Sequence, residues 1–177
     1  MKLKSIFVVL STAFLLVGCS EENTQTQSQQ EMDPQSIKDL VNDYSIGNID
    51  AENASITSEQ LIVEETSGEK HEYDLPDDEF FVSFAPYVKN THPCTNHSLT
   101  GCQGELANEQ FDVVIVDASG NIIIEETMVS GENGFIDMWL PRDKEYEVRI
   151  THDGKMAESS FSTYKTDQTC MTEMQLL

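Results

Sequence analysis

Phe111-Asp112-Val113-Val114-Ile115-Val116-Asp117-Ala118-Ser119-Gly120-Asn121 opens with side chains that alternate in character and closes on a turn by composition. The same unit recurs downstream. Residues 122–127 read as the next strand, Gly131-Glu132-Asn133-Gly134 as the next turn, and Phe135-Ile136-Asp137-Met138-Trp139-Leu140 as a further strand before a Pro141-Arg142-Asp143-Lys144 corner. Tyr146-Glu147-Val148-Arg149-Ile150 alternates again, then turns at His152-Asp153-Gly154-Lys155 into a strand over residues 156–163. Short strands spaced about ten residues apart, with turns between them, predict an antiparallel β-sandwich over residues 91–177.

Upstream the period changes. Asp33-Pro34 has the form of an N-cap followed by proline at the first helical position. Ile37, Leu40, Val41 and Tyr44 then share one helical face, and Gly47 suits the exit. From about Ser55 the pattern becomes strand-like: residues 58–64, a Ser67-Gly68 turn, residues 71–75 and residues 79–88. Residues 33–90 therefore read as an N-terminal helix on a small antiparallel sheet, and the chain as α+β. Phe80, Phe81, Phe84 and Tyr87 suit a core or a pairing surface for a second copy, which leaves a homodimer open. His71 and His152 read as surface residues.

Residues 1–18 have the form of a lipoprotein signal peptide. Lys2 and Lys4 start it, residues 6–17 form its apolar run, and Leu16-Val17-Gly18-Cys19 ends it as a lipobox. That run is shorter than the roughly 20 residues a membrane-spanning helix needs. Lipid on Cys19 would instead anchor the chain to the extracytoplasmic face of the cell membrane. Residues 19–32, rich in Gln, Ser and Thr, predict a disordered tether. The 177 residues carry 10 Lys and Arg against 32 Asp and Glu, a formal charge of −22; loss of two lysines and no acid with the leader takes this to about −24. Binding nucleic-acid phosphates needs clustered basic residues, so such a partner is excluded. The acidity also repels anionic headgroups, leaving lipid as the membrane attachment.

The chemistry concentrates in Thr91-His92-Pro93-Cys94-Thr95-Asn96-His97-Ser98-Leu99-Thr100-Gly101-Cys102-Gln103-Gly104-Glu105, whose Pro, Asn, Ser and Gly read as a loop. Cys170 lies far downstream, just beyond the last predicted strand, and the sandwich permits it to return to the same end of the domain. With Cys19 lipidated, the remaining cysteines are Cys94, Cys102 and Cys170, an odd number for an oxidising compartment. Thiolates select Cu(I), zinc or iron–sulfur clusters, and imidazole suits copper and zinc. No Cys-x2-Cys pair marks a zinc finger, whereas three thiols with His97, and more distantly His92, suit monovalent copper, with zinc open. Met171 and Met174 offer further soft sulfur, although Met more commonly packs a core. No Gly-x-Ser-x-Gly elbow, His-Glu-x2-His motif or Gly-rich phosphate loop supports hydrolysis or phosphoryl transfer, so a metal-binding protein is favoured over an enzyme.

Three stretches also carry a resemblance. The segment His92-Pro93-Cys94-x2-His97-Ser98-x2-Gly101-Cys102-Gln103-Gly104-Glu105-Leu106, the segment Gly134-Phe135-x3-Trp139-Leu140-Pro141-Arg142 and the ending Thr169-Cys170-Met171-Thr172-x-Met174-x-Leu176 together resemble the CueP family of exported copper-binding proteins. They span about the last half of the chain; residues 33–88 hold no motif that matches. The resemblance implies that Cys94, Cys102 and Cys170 bind copper with histidine nearby, for buffering, tolerance or delivery to another exported protein. The order of strands and turns over residues 111–163 is also similar to transthyretin-like and carboxypeptidase-regulatory-like domains, an analogy of fold that carries no function. Two alternatives stay open: a thiol-based Cu(II) reductase or thiol–disulfide protein, and a structural sandwich with a Cys94–Cys102 disulfide.

Overall fold

Asp33 starts α1 (Pro34–Ser45) as the sequence predicts: its carboxylate accepts the Ser36 N–H at 3.1 Å while Pro34 occupies the first turn. Ile37, Val41 and Tyr44 are buried and Leu40 packs beside them. Ile46 returns its N–H to Asn42, and Gly47, at φ +71°, turns the chain out. A computed structural model describes residues 28–30 and 32–177. The expected signal peptide, Cys19 and most of the tether lie outside the described residues.

The strands, in chain order, are β1 (Ser28–Gln30), β2 (Asn53–Ile56), β3 (Gln60–Glu64), β4 (Lys70–Asp74), β5 (Glu79–Tyr87), β6 (His97–Ser98), β7 (Gln110–Asp117), β8 (Ile122–Val129), β9 (Ile136–Pro141), β10 (Glu145–His152), β11 (Lys155–Ser162) and β12 (Cys170–Gln175). The described residues are thus mostly β-sheet with one short helix. One sheet has the order β1-β4-β3-β2-β6, a second β11-β10-β7-β8, and a third β12-β5-β9. The turn read at 117–121 forms as its composition requires: the Asp117 carboxylate accepts the N–H groups of Ser119 and Asn121, each at 2.9 Å.

Strand β5 holds these layers together. It is buried at every position from Phe80 to Pro86, the signature of a strand covered on both faces. Phe80, Val82 and Phe84 enter a core shared with Phe111, Val113 and Ile115 of β7, Tyr146, Val148 and Ile150 of β10, and Met171 and Met174 of β12. Phe81 points the other way, into a second core with Ile37 and Val41 of α1 and Ala54, Ile56, Leu61 and Val63 of β2 and β3. Ala85, on that same side by the two-residue strand period, joins a small cluster with Cys102, Phe135 and Cys170.

This arrangement corrects the sequence reading in several places. The sheet crosses the boundary expected between residues 90 and 91, because β5 pairs antiparallel with β9 and parallel with β12. A strand buried on both faces needs a partner at each edge, and its own neighbours in sequence are already committed to another sheet. The expected all-antiparallel arrangement therefore gives way to a mixed central sheet. Cys170 lies within a strand rather than beyond the last one, and His97, expected in a loop, forms the short strand β6 against Ile56 of β2. Finally, Ser28–Gln30, expected in the disordered tether, pairs parallel with β4 in the register Ser28↔His71; β4 would otherwise expose an edge whose backbone groups accept a passing strand. His152 is also more covered than expected, its side chain 12% exposed, with Nδ1 at 2.8 Å from the Gln110 carbonyl.

Candidate metal centre

The segment after β5 is fastened before it reaches its first thiol. Glu105 Oε2 accepts the N–H groups of Val88, Lys89 and Asn90 at 2.7, 2.8 and 3.2 Å. These donors, the Lys89 N–H foremost, hold the Glu105 carboxyl below the usual carboxylate range. Thr91 Oγ1 then donates to the Thr172 carbonyl at 2.7 Å, tying the loop to β12.

Thr169 sets the registry between the loop and the last strand. Its hydroxyl accepts the His97 N–H at 3.0 Å and donates to the Ile56 carbonyl at 2.7 Å, while its own N–H donates to the Thr95 carbonyl at 3.0 Å. One fully buried residue thus places both His97 and the adjacent Cys170. Sequence reasoning singled out Cys170 and passed over Thr169, although the two stand together in the terminal motif.

Cys102 is held by a close crossing of two backbones. Gly104 donates its N–H to the Asn133 carbonyl at 2.6 Å, and a Cβ on Gly104 would lie 2.6 Å from the Gly134 oxygen. Gly134 stands at φ +77°, a conformation that favours glycine, and a Cβ there would lie 2.8 Å from Gly104. The two glycines of the sequence motifs are therefore partners in space. Their contact brings Phe135 under the Cys102 loop.

The structure brings together all five residues singled out as metal ligands. The thiols of Cys94, Cys102 and Cys170 are free. Cys94 and Cys102 Sγ are 3.6 Å apart, beyond the roughly 2.05 Å of a disulfide. Cys170 Sγ is 3.6 Å from His97 Nδ1. Two groups have all their donor atoms within 4.8 Å of one another: His92, Cys94 and Cys102, and His97, Cys102 and Cys170. The set divides into overlapping triads that meet at Cys102. Met171 and Met174 belong to the apolar core instead, as the commoner role of Met suggests.

The environment is graded. His97 and Cys170 are fully buried and Cys102 nearly so, whereas His92 and Cys94 are half-buried. The His97 ring lies 4.4 Å from the Phe135 centroid and 6.1 Å from that of Phe81. Its Nε2 is buried without a hydrogen-bond partner among the described residues. Donation from the Cys170 thiol, followed by that from His97 and His92, holds Cys102 far below the usual thiol range against the opposing effect of burial. Cys170 moves upward because it supplies that proton and lies deep, and burial raises Cys94. One sulfur thus takes the negative charge that its neighbours support. Behind it, Asp137 of β9 accepts hydroxyl hydrogen bonds from Ser83 of β5 and Ser45 of α1, and Ser83 stands opposite Cys170 in the sheet.

The donor set fits a soft metal. A metal about 2.3 Å from each sulfur places tetrahedral or trigonal sulfur pairs about 3.8–4.0 Å apart, close to the observed 3.6 Å between Cys94 and Cys102. Three free thiols and two imidazoles gathered on a β-rich scaffold are the equipment of a soft-metal-binding protein. Residues 36–175 match the family model described as periplasmic copper-binding protein CueP, and the chain belongs to the CueP family. A crystal structure described as that of S.CueP is 39% identical with a TM-score of 0.74, over 80% of this chain and 89% of that one. No curated protein matches the chain. The family match reaches back through β2, β3 and β4 into α1, where the sequence alone showed no motif. No helix among the described residues is long and apolar enough to cross a membrane.

Proposed function

We propose that this protein binds copper outside the cytoplasm, as Cu(I), using the thiolates of Cys94, Cys102 and Cys170 with His97 and, at the edge, His92. It would buffer copper, give tolerance to it, or deliver it to an exported acceptor protein, while lipid on Cys19 keeps the chain at the membrane. The observation that carries this reading is the convergence of two free thiols, Cys102 and Cys170, on the fully buried His97, with the third free thiol, Cys94, 3.6 Å from Cys102. Zinc has the same taste for sulfur and nitrogen but prefers four protein ligands at structural sites, and each triad supplies three.

The test is an anaerobic competition of the reduced protein with a Cu(I) chelator, beside Zn(II) and beside Cys170→Ser. Tight retention of Cu(I), with affinity lost in the variant, supports the reading; failure of the unaltered protein to compete removes it. The Cys94–Cys102 separation of 3.6 Å favours a second reading, in which the two thiols reduce two Cu(II) to two Cu(I), close a disulfide and release two protons. Stoichiometric Cu(I) formation with loss of two thiols would support that reaction, and repeated turnover with an added thiol reductant would make it enzymatic.

A further inference from the structure

On the basis of the copper reading, we propose that the centre is two overlapping positions used in sequence. His92, Cys94 and Cys102 form an outer position that captures and surrenders the ion; His97, Cys102 and Cys170 form an inner position that retains it, with Cys102 ligating throughout. Three independent observations carry this. The donors satisfy the 4.8 Å spacing as two triads sharing Cys102, and neither triad contains both imidazoles. The outer donors, His92 and Cys94, are half-buried in chain without regular structure, while the inner His97 and Cys170 are fully buried in β6 and β12. Phe135 borders both sites, its ring centroid 6.3 Å from His92 and 4.4 Å from His97, which separates the imidazoles on an apolar wall.

The physical consequence is a division of labour. Donors in irregular, partly solvated chain exchange ligands readily, whereas donors locked by sheet hydrogen bonds and the Thr169 clamp are preorganised and lose little entropy on binding. Passage inward breaks the bonds from the ion to His92 and Cys94 and forms those to His97 and Cys170. The proton leaving the Cys170 thiol passes to the Cys94 thiolate, so neither net charge nor oxidation state changes. Cys102 keeps the ion from escaping between the two positions. Release to an acceptor is the reverse exchange.

The test uses the reduced, detergent-solubilised protein under anaerobic conditions, with Cu(I) presented as a coloured chelator complex. Stopped-flow absorbance gives uptake and release rates, and the endpoint gives affinity. His92→Ala and Cys94→Ser should slow uptake and release together, by about tenfold or more, and lower affinity far less than the inner variants do. His97→Ala and Cys170→Ser should leave uptake nearly unchanged and lower affinity by about 100-fold through faster release, at least the scale seen on removing a metal ligand's support. The outer residues are partly exposed, so their variants should fold even where an inner variant does not, and they suffice to decide the matter. If His92→Ala and Cys94→Ser lose as much affinity as the inner variants, or leave both rates unaltered, the two-position arrangement is overturned while copper binding stands. If the unaltered protein takes no Cu(I), the copper reading falls first and the relay with it.

Discussion

Gly134→Ala should damage this protein in two separable ways. The added Cβ meets the left-handed backbone at φ +77° and also strikes Gly104 backbone atoms at 2.8 Å. The first effect costs about 1–2 kcal/mol for an L-residue; forcing packed atoms apart adds about 1–3 kcal/mol. The expected loss is therefore about 2–5 kcal/mol, against a total stability of about 5–15 kcal/mol for a domain. Two other glycines separate the terms. Gly68 has φ +85° with nothing within 4 Å of its Cβ position, so Gly68→Ala incurs only the conformational cost. Gly104 has no left-handed φ but would press its Cβ to 2.6 Å from the Gly134 oxygen, so Gly104→Ala incurs only the steric one. Urea unfolding of the metal-free, reduced protein, monitored by far-UV circular dichroism, should rank Gly134→Ala below both. Because the crossing positions Cys102 and Phe135, Cu(I) affinity should also fall in the Gly104 and Gly134 variants and persist in Gly68→Ala. The reasoning is refuted if Gly134→Ala loses no more stability than Gly68→Ala and keeps its affinity for Cu(I).

Thr169→Val retains the shape of a fully buried side chain but leaves the His97 N–H and Ile56 carbonyl without their shared partner; a loss of about 1–3 kcal/mol is expected, and an unchanged urea midpoint would count against the clamp. The Glu105 carboxyl has a lowered folded-state pKa, so its contribution to stability is complete above its ordinary value of 4.5 and declines as pH falls through the lower folded one. Glu105→Gln should accordingly flatten the acid side of the stability profile, and an identical profile would show that the three N–H donors exert no such hold. Cys19→Ser should move the protein from the membrane to the aqueous fraction on fractionation of cells; retention at the membrane in the variant would remove the lipid anchor from the account.

The elements legible in the sequence are those whose cause lies within a few residues. The Asp33-Pro34 start, the buried stripe of α1, the Asp117 turn and the alternation of β7 and β10 each depend on local backbone geometry, and each appears in the structure. The residue types of the metal centre were legible for a similar reason: a thiol or an imidazole carries its chemistry wherever the chain puts it. Strand partnership is different. β5 and β12 are separated by 82 residues, and Cys-Met-Thr-Glu-Met-Gln has no clean two-residue period to announce a strand parallel to β5. The same non-local packing decides that Thr169 bridges β2 and β6, that Gly104 rests on Gly134, and that Phe135 faces two imidazoles. Sequence by itself named the candidate donors; tertiary structure sorted them into buried and half-exposed triads around Cys102, because backbone pairing and close packing between distant segments set each side chain's depth and neighbours.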